Sequence, residues 1–428
     1  MDALPLDPRN RCRHLALGRV SRGYSLIELL VALAMMVVVL IAALVLLDTT
    51  NRATRTQVSR ADVQHSLRLA QGEIAGKVRM AGRGGLLAAT TSRPWPDGVA
   101  LEVDNNVEDD RTLFPSDLNS PKIKEGTDVL VVRGSFDLPL YYLNPLDSSR
   151  FQFDPARGVG SVIVPRRTPN GGFVQDLELL AELRSDAREA EAIVVVSPFD
   201  DDVYGVALID WSASRFDPGS DTFRLGFTFE DDPAAIDPRN PDNVLHAASA
   251  LSSGGAFPRE LFRAGFKTLG ILEEHRYFVR DPSDESGASL GSQPKLSVVR
   301  TLLNRDEYWH ENPARPYSEP WEDVVDGISD LQIALGFADP ESGEVTETTD
   351  GADDLWFLNH PAESVPEGDL TLVRITTLAR SAAPDRNSEA KVLLRLEDRS
   401  YTDEDINSPV ERKYRRFFLP TVVSLRNL

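Results

Sequence analysis

The stretch Ser21-Arg22-Gly23-Tyr24-Ser25-Leu26-Ile27-Glu28, which leads into the apolar run Leu29–Leu47 (LLVALAMMVVVLIAALVLL), decides the fold. This run has nineteen residues and no charge. As a helix it is roughly 28 Å long, close to the hydrocarbon thickness of a bilayer. A cleavable secretory signal normally ends in a small-residue cut site, but Asp48-Thr49-Thr50-Asn51-Arg52 follows here. The sequence therefore predicts a membrane-spanning helix that stays in the mature protein.

Charges on either side of the run indicate its orientation. Residues 1–23 contain five arginines and two acidic residues, whereas three arginines lie within about twenty residues on the other side. This bias favours a cytoplasmic N-terminus and a periplasmic remainder, as in an ordinary single-pass anchor. Glu28 is harder to explain, because a carboxylate at the apolar end of a membrane helix is costly without a partner. A position at the headgroup level is the simplest explanation.

The helix is predicted to continue beyond the membrane. Between Pro8 and Pro94 there is no proline, and one apolar stripe runs at helical spacing through Val63, Leu67, Ala70, Ile74 and Val78. Gly82-Arg83-Gly84-Gly85 then ends the pattern, as glycine does at helix C-termini. We expect a helix from about Tyr24 to Ala81 whose second half packs on its own head. The stripe covers only about two heptads, which disfavours a coiled-coil dimer stem.

Beyond Gly85 the pattern changes to strands separated by Gly, Pro, Asn and Asp. The predicted strands are Asp128–Arg133, Ala192–Val196, Val203–Ile209, Phe223–Phe229, Arg276–Val279, Leu296–Leu303, Leu331–Phe337, Leu370–Leu378, Val392–Leu396 and Phe417–Leu425. Short helices are predicted at Leu177–Leu183 and Glu322–Asp326. The fold class is therefore α+β, with one long helix against an antiparallel sheet, or two sheets given the length.

The N-terminal junction resembles the class III signal of type IV pilins and type II secretion pseudopilins. The resemblance implies that prepilin peptidase cuts after Gly23 and N-methylates Tyr24, and that Glu28 is the family glutamate used in subunit assembly. Tyrosine replaces the usual phenylalanine at the first mature position, which keeps an aromatic ring there. Residues 1–23 would then be a leader, 24–82 the transmembrane and stem helix, and 83–428 the head.

An electrostatic argument agrees with this resemblance. Cutting after Gly23 creates a positive amine near Glu28, in surroundings too apolar for either charge alone. In a filament, the amine of an incoming subunit can meet the Glu28 of its neighbour and convert two unpaired charges into one pair. Such a pair would fix the axial register of the subunits more than it would add stability.

Several head segments resemble PilW-type minor pilins, in the same order along the chain. They are Gly126–Leu130, Arg276–Val279, Val324–Gln332, Leu372–Ile375 and Thr421–Asn427. Residues 135–270 resemble no family that we can name, and we expect an insertion there.

The resemblance implies a structural subunit that primes pilus assembly at the filament tip and performs no chemistry. It also implies prepilin peptidase, other minor and major pilins, the inner-membrane assembly platform and the inner membrane as partners. The protein would be a single-pass inner-membrane protein before assembly and lie at the pilus tip afterwards.

Three alternatives remain open at this point. A J-type pseudopilin at the tip of a type II secretion pseudopilus would have the same anchor. A tip adhesin would use residues 135–270 to bind a receptor. A membrane-anchored enzyme would need a nucleophile paired with a base, or a metal site, and the sequence indicates neither.

The composition limits which cofactors and partners are expected. The net charge is −21 and the acidic excess lies in residues 84–428, so the head is expected to repel nucleic acid. The only cysteine, Cys12, lies in the leader, which excludes disulfides from the mature chain. No cofactor is expected. Acidic clusters at Asp104–Asp110, Asp200–Asp202 and Glu230–Asp232 leave calcium as an alternative. The six histidines, at positions 14, 65, 246, 275, 310 and 360, show no metal-ligand spacing.

Overall fold

The computed structural model describes residues 25–84, 100–107, 123–143, 150–154, 159–185, 193–198, 205–228, 266–280, 293–302, 321–339, 341–345, 356–357, 368–385, 389–402 and 407–425. The helices are α1 (Leu26–Arg79) and α2 (Leu177–Ser185). The strands are β1 (Leu101–Asp104), β2 (Val129–Gly134), β3 (Leu140–Tyr142), β4 (Phe151–Asp154), β5 (Val159–Pro165), β6 (Ile193–Pro198), β7 (Gly205–Asp217), β8 (Thr222–Thr228), β9 (Phe266–Ile271), β10 (Glu273–Arg280), β11 (Lys295–Leu302), β12 (Glu322–Asp326), β13 (Ile328–Ala338), β14 (Trp356–Phe357), β15 (Asp369–Arg380), β16 (Arg395–Leu396), β17 (Arg399–Ser400) and β18 (Arg416–Ser424). The α+β class expected from the sequence is confirmed.

Helix α1 contains the predicted apolar run. By length and composition it is long and apolar enough to cross a membrane, and none of its most apolar stretch is buried. The chain divides into two units, Met1–Val58 and Ser59–Leu428. In the first unit, residues 25–55 are all exposed. Exposed leucine, isoleucine and valine side chains in such number are unfavourable in water, which agrees with a membrane setting for this segment.

The predicted end of α1 is confirmed to within two residues. Regular helix stops at Arg79, and Met80 and Ala81 continue for one tighter turn, donating to the carbonyls of Lys77 and Val78. Gly82 then takes a φ of +74°, in the left-handed region that glycine enters without steric cost. Its N–H donates to the carbonyl of Arg133 in β2, which ties the helix end to a sheet.

The described strands of the second unit form three larger sheets and one small one. The first has the order β1-β2-β10-β11-β12, the second β14-β13-β15-β18 and the third β3-β9-β6-β7-β8-β5-β4, while β16 pairs with β17. All recorded pairings are antiparallel. One or two sheets were expected, so the described head has more sheets than the sequence predicted.

The main core lies where the stem half of α1 meets the first two sheets. All five residues of the predicted stripe are buried, with Ala70, Ile74 and Val78 at 0% exposure. They belong to one apolar cluster with residues of β1, β2, β10 and β11 and of β13, β15 and β18. The expectation that the stem packs on its own head is confirmed, because burying this stripe is the principal gain available to an amphipathic helix.

The segment 140–271, which we call the lobe, contains in its described residues the third sheet and α2. Their buried apolar residues make a second cluster, separate from the main core, which includes Phe223, Leu225 and Leu177. All but the last residue of the lobe fall within the segment 135–270 that resembled no known family. A separate sheet with its own core is what an inserted module requires. That it is an insertion stays a prediction.

Two local predictions were wrong. Glu322–Asp326 is not a helix but β12, which pairs with β11. Five residues are too few for the helical period to be distinguished, and two adjacent valines favour a strand. Val392–Leu396 was predicted as a strand, but only Arg395–Leu396 pairs, with β17, while Val392 and Leu394 are exposed. The predicted helix at Leu177–Leu183 is confirmed as α2.

Candidate functional site

The first sequence-predicted site is the N-terminal junction, of which the structure describes only a part. Gly23 and Tyr24 lie outside the described residues. Glu28 is in the first turn of α1, where its carboxylate accepts a hydrogen bond from the Ser25 N–H at 2.9 Å. The Ser25 hydroxyl in turn accepts the Glu28 N–H at 3.2 Å. This reciprocal pair is a capping box, which satisfies two N–H groups that the helix itself leaves free.

The capping box gives Glu28 a local role that sequence reasoning missed. The signal was present in the order Ser25-Leu26-Ile27-Glu28, because serine followed three residues later by glutamate marks a helix start. A carboxylate at this end is also favoured by the helix dipole. The Glu28 side chain can therefore cap the helix and also place a negative charge at the N-terminal end of its apolar segment.

A buried amide fixes the stem of α1 against the second sheet. Gln71 is 5% exposed, and its Nε2 donates to the carbonyls of Ile375 and Leu419 and to the hydroxyl of Thr377, at 2.8–3.1 Å. These three partners lie on β15 and β18. Because a buried amide tolerates few alternative positions, this contact sets the register of the helix on the sheet.

Charged groups gather where α1 faces β10, at the edge of the lobe. Alternate residues of a strand point to the same side, so Glu273, His275 and Tyr277 share one face of β10. Tyr277 donates to Glu73 of α1 at 3.1 Å, and Lys77 of α1 forms an ion pair of 2.7 Å with Asp137.

Glu273 joins the two chain segments that connect the lobe to the main core. Its Oε1 accepts the backbone N–H groups of Phe136, Asp137 and Leu138 at 2.8, 3.0 and 2.9 Å. Residues 136–138 lead into the lobe, and Glu273 follows directly after its last strand. We call residues 135–138 together with 272–275 the neck. Three N–H donors on one oxygen provide a local positive field that suits an ionised carboxylate.

Burial and nearby charges shift the titrating groups of the neck. Burial raises the pKa of Glu273 although the three N–H groups oppose the shift. Burial, followed by the positive charges of Lys77 and Arg300, lowers the pKa of His275 to about 4. The hydrogen bond from Lys77 lowers the pKa of Asp137. His275 is therefore a neutral imidazole at neutral pH, buried between the rings of Phe136 and Tyr277.

The histidines gave no metal-ligand spacing in the sequence, but the structure brings one of them close to two carboxylates. Single donor atoms of Asp137, Glu273 and His275 all lie within 4.8 Å of one another. Sequence reasoning could have placed Glu273 and His275 together, had the predicted strand begun before Arg276. It could not have found Asp137, which is more than 130 positions away along the chain.

The acidic clusters considered for calcium are described only in part. Asp200–Asp202 and Glu230–Asp232 lie outside the described residues, as do Glu108–Asp110. In the described part of the first cluster, Asn105 and Asn106 donate their side-chain amides to Asp398 at 2.8 and 2.7 Å. These contacts join the loop to Asp398, and calcium binding stays a prediction.

Sequence reasoning missed one hydrolase-like pattern. Gly287-Ala288-Ser289-Leu290-Gly291 fits GxSxG, the pattern of a nucleophile elbow. It lies outside the described residues, on the connection between β10 and β11, which pair as neighbouring antiparallel strands.

Comparison with known families gives one result. The family model described as type IV pilus-assembly protein W matches residues 276–427, which run from β10 to the end of β18. Four of the five PilW-like segments found in the sequence lie in this range, and Gly126–Leu130 precedes it. No match is found among curated proteins or among solved structures. The match supports a type IV pilus-related protein, and the apolar N-terminal helix is compatible with membrane anchoring.

Proposed function

We propose that this protein is a minor pilin of PilW type, processed by prepilin peptidase after Gly23, which primes assembly of a type IV pilus or caps its tip. The observation that carries the proposal is the match of residues 276–427 to the pilus-assembly family. The long apolar helix at the other end of the chain supports it, because a filament subunit needs such a helix both before and after assembly.

In this role the protein is structural and acts through binding. After cleavage the Tyr24 amine and the Glu28 carboxylate become charges of opposite sign at the apolar end of α1. The capping box positions the Glu28 carboxylate at the first turn, facing the chain end. Pairing with the amine of a neighbouring subunit would remove both charges from apolar surroundings. Other pilins, prepilin peptidase and the inner-membrane assembly platform are the proposed partners.

A complementation experiment tests this function. In a strain that lacks the gene, wild-type protein should restore surface pili, whereas Gly23→Ala should accumulate as an uncut precursor and restore none. Leu26→Ala, which keeps the junction glycine and the charges, is the matched control and should be processed and restore pili. Full piliation by an uncut Gly23→Ala precursor would refute the proposal.

The second candidate function is a J-type pseudopilin of a type II secretion system. A pseudopilin would have the same N-terminal features. Loss of protein secretion with normal pili in the deletion strain would favour the pseudopilin over the minor pilin. Tip adhesion through the lobe is compatible with either assignment, and a folded module of this size with its own core supports it.

A further inference from the structure

The neck contains three potential metal ligands. One of them, the imidazole of His275, makes no hydrogen bond among the described residues. His275 is 1% exposed, and its Nδ1 is buried with no hydrogen-bond partner among the described residues. Its Nε2 faces Glu273 Oε2 at 3.9 Å, which is too long for a hydrogen bond. Nε2 is therefore the nitrogen placed to bind an ion beside Glu273, and Nδ1 is a separate buried atom without a hydrogen bond, which is uncommon inside proteins.

We propose that Asp137, Glu273 and His275 form a binding site for a divalent transition-metal ion, with Zn²⁺ as the ion that fits best. One imidazole nitrogen and two carboxylates are a ligand set used by zinc, with water completing the tetrahedron. Calcium and magnesium prefer oxygen alone, so the imidazole disfavours them. The proposal does not depend on the pilus function.

The distances suit a site that closes slightly on binding. A tetrahedral zinc ion with ligands at about 2.1 Å holds neighbouring ligand atoms roughly 3.4 Å apart. The donors here lie within 4.8 Å of one another, and Glu273 Oε2 and His275 Nε2 are 3.9 Å apart. Three N–H donors on Oε1 orient the Glu273 carboxylate, and Oε2, which also accepts the Asp137 N–H at 3.2 Å, is the oxygen that faces the imidazole. Asp137 is largely exposed and free to adjust.

The charge balance also favours a divalent ion. Asp137 and Glu273 carry two negative charges when ionised, and Lys77 supplies one positive charge to Asp137 at 2.7 Å. Arg300 is a further positive charge nearby, and it pairs with Glu73 at 2.9 Å. The lysine ammonium acts as the competing cation. Zinc would displace it from Asp137, and its flexible four-carbon chain allows that movement. The bound ion would link β10 to the segment that enters the lobe, and so stiffen the neck.

Zinc titration of the full chain in detergent micelles tests the site. The protein carries Cys12→Ser, so that the leader thiol cannot bind the ion, and a purification tag without histidine. After treatment with a chelator, calorimetry with ZnCl₂ should show one equivalent bound and a higher melting temperature. Lys77→Met should bind about tenfold more tightly, because a neighbouring positive charge is gone.

Matched variants distinguish this site from others. His275→Phe keeps an aromatic ring in the same aromatic surroundings and should weaken zinc binding at least a hundredfold and abolish the rise in melting temperature. His65→Ala removes an exposed histidine of α1 and should change neither quantity. Absence of one-equivalent binding in both wild type and Lys77→Met would overturn the proposal. Unchanged zinc affinity in a folded His275→Phe variant, or unchanged affinity in Lys77→Met, would overturn it as well.

Discussion

At the scale of single residues, a substitution series can separate the capping role of Glu28 from the assembly role proposed for it. Glu28 caps α1 together with Ser25, and it carries the charge proposed to meet a neighbouring amine. Glutamine keeps an acceptor for the cap but not the charge, whereas valine loses both.

We therefore expect Glu28→Gln and Glu28→Val to be processed normally but to fail in pilus assembly. Ser25→Ala removes the other half of the capping box, costs about 1 kcal/mol of helix stability and should still assemble. The measurement is the number of surface pili in the complemented deletion strain, with immunoblots for the processed chain. Normal piliation by Glu28→Gln with failure of Ser25→Ala would show that capping alone matters.

Asp323 on β12 provides a prediction of pH dependence. Burial alone would raise its pKa, but hydrogen bonds from Arg280, Lys295 and Ser297 outweigh burial and lower the pKa to about 2. Since the folded pKa lies below the unfolded value of about 3.9, this carboxylate stabilises the fold fully above pH 4 to 5. That contribution is lost as the pH falls towards about 2.

Asp323→Asn should lower the free energy of unfolding by about 1–2 kcal/mol at pH 7. The difference from wild type should shrink steadily between about pH 4 and pH 2.5, as measured by urea unfolding followed by tryptophan fluorescence. Asp326→Asn, on the same strand and more exposed, should show a smaller effect. A difference that does not vary with pH would contradict this explanation.

At the scale of elements, α1 and most strands could be predicted from the sequence. The apolar run and the stripe each repeat one signal over many residues, so local errors do not matter. The prediction of a helix at Glu322–Asp326 was wrong because pairing with β11 makes this segment a strand. Asp326 lies opposite Lys295 in that pairing. The Asp137–Glu273–His275 cluster was beyond reach, because only the antiparallel pairing of β2 with β10 brings those distant positions together.

Gly72, on the exposed side of the stem, gives a prediction about helix stability. An added Cβ would meet nothing within 4 Å, and glycine is about 1 kcal/mol worse than alanine inside a helix. Gly72→Ala should therefore raise the free energy of unfolding by up to about 1 kcal/mol. Gly134→Ala is the opposite case, since its Cβ would lie 3.1 Å from the Met80 carbonyl oxygen, and it should destabilise the fold. Calorimetric melting of both variants tests these two expectations. Destabilisation by Gly72→Ala would contradict the inference that an added Cβ meets no neighbour at this position.

At the scale of the whole molecule, the lobe and the main core have separate apolar clusters joined by the neck. Gly134 on β2 lies opposite Glu273 on β10. A short turn can therefore replace residues 136–271 without separating these strands. The sequence did not mark this boundary, because antiparallel strands occur on both sides of it.

The chain without the lobe should fold, elute as a single species from size exclusion in detergent and restore pili in the deletion strain. Under the adhesin alternative the same strain should lose surface binding while it keeps its pili. An aggregated or unfolded product would show instead that the lobe is required for the main core.

Intact-mass spectrometry of the protein isolated from its native membrane tests whether the leader is removed after Gly23. We predict a chain that begins at Tyr24, lacks the 23 leader residues and carries a methyl group on its amine. The nineteen-residue apolar run should remain. A full-length chain starting at Met1, or a chain from which Leu29–Leu47 has been removed, would contradict the account.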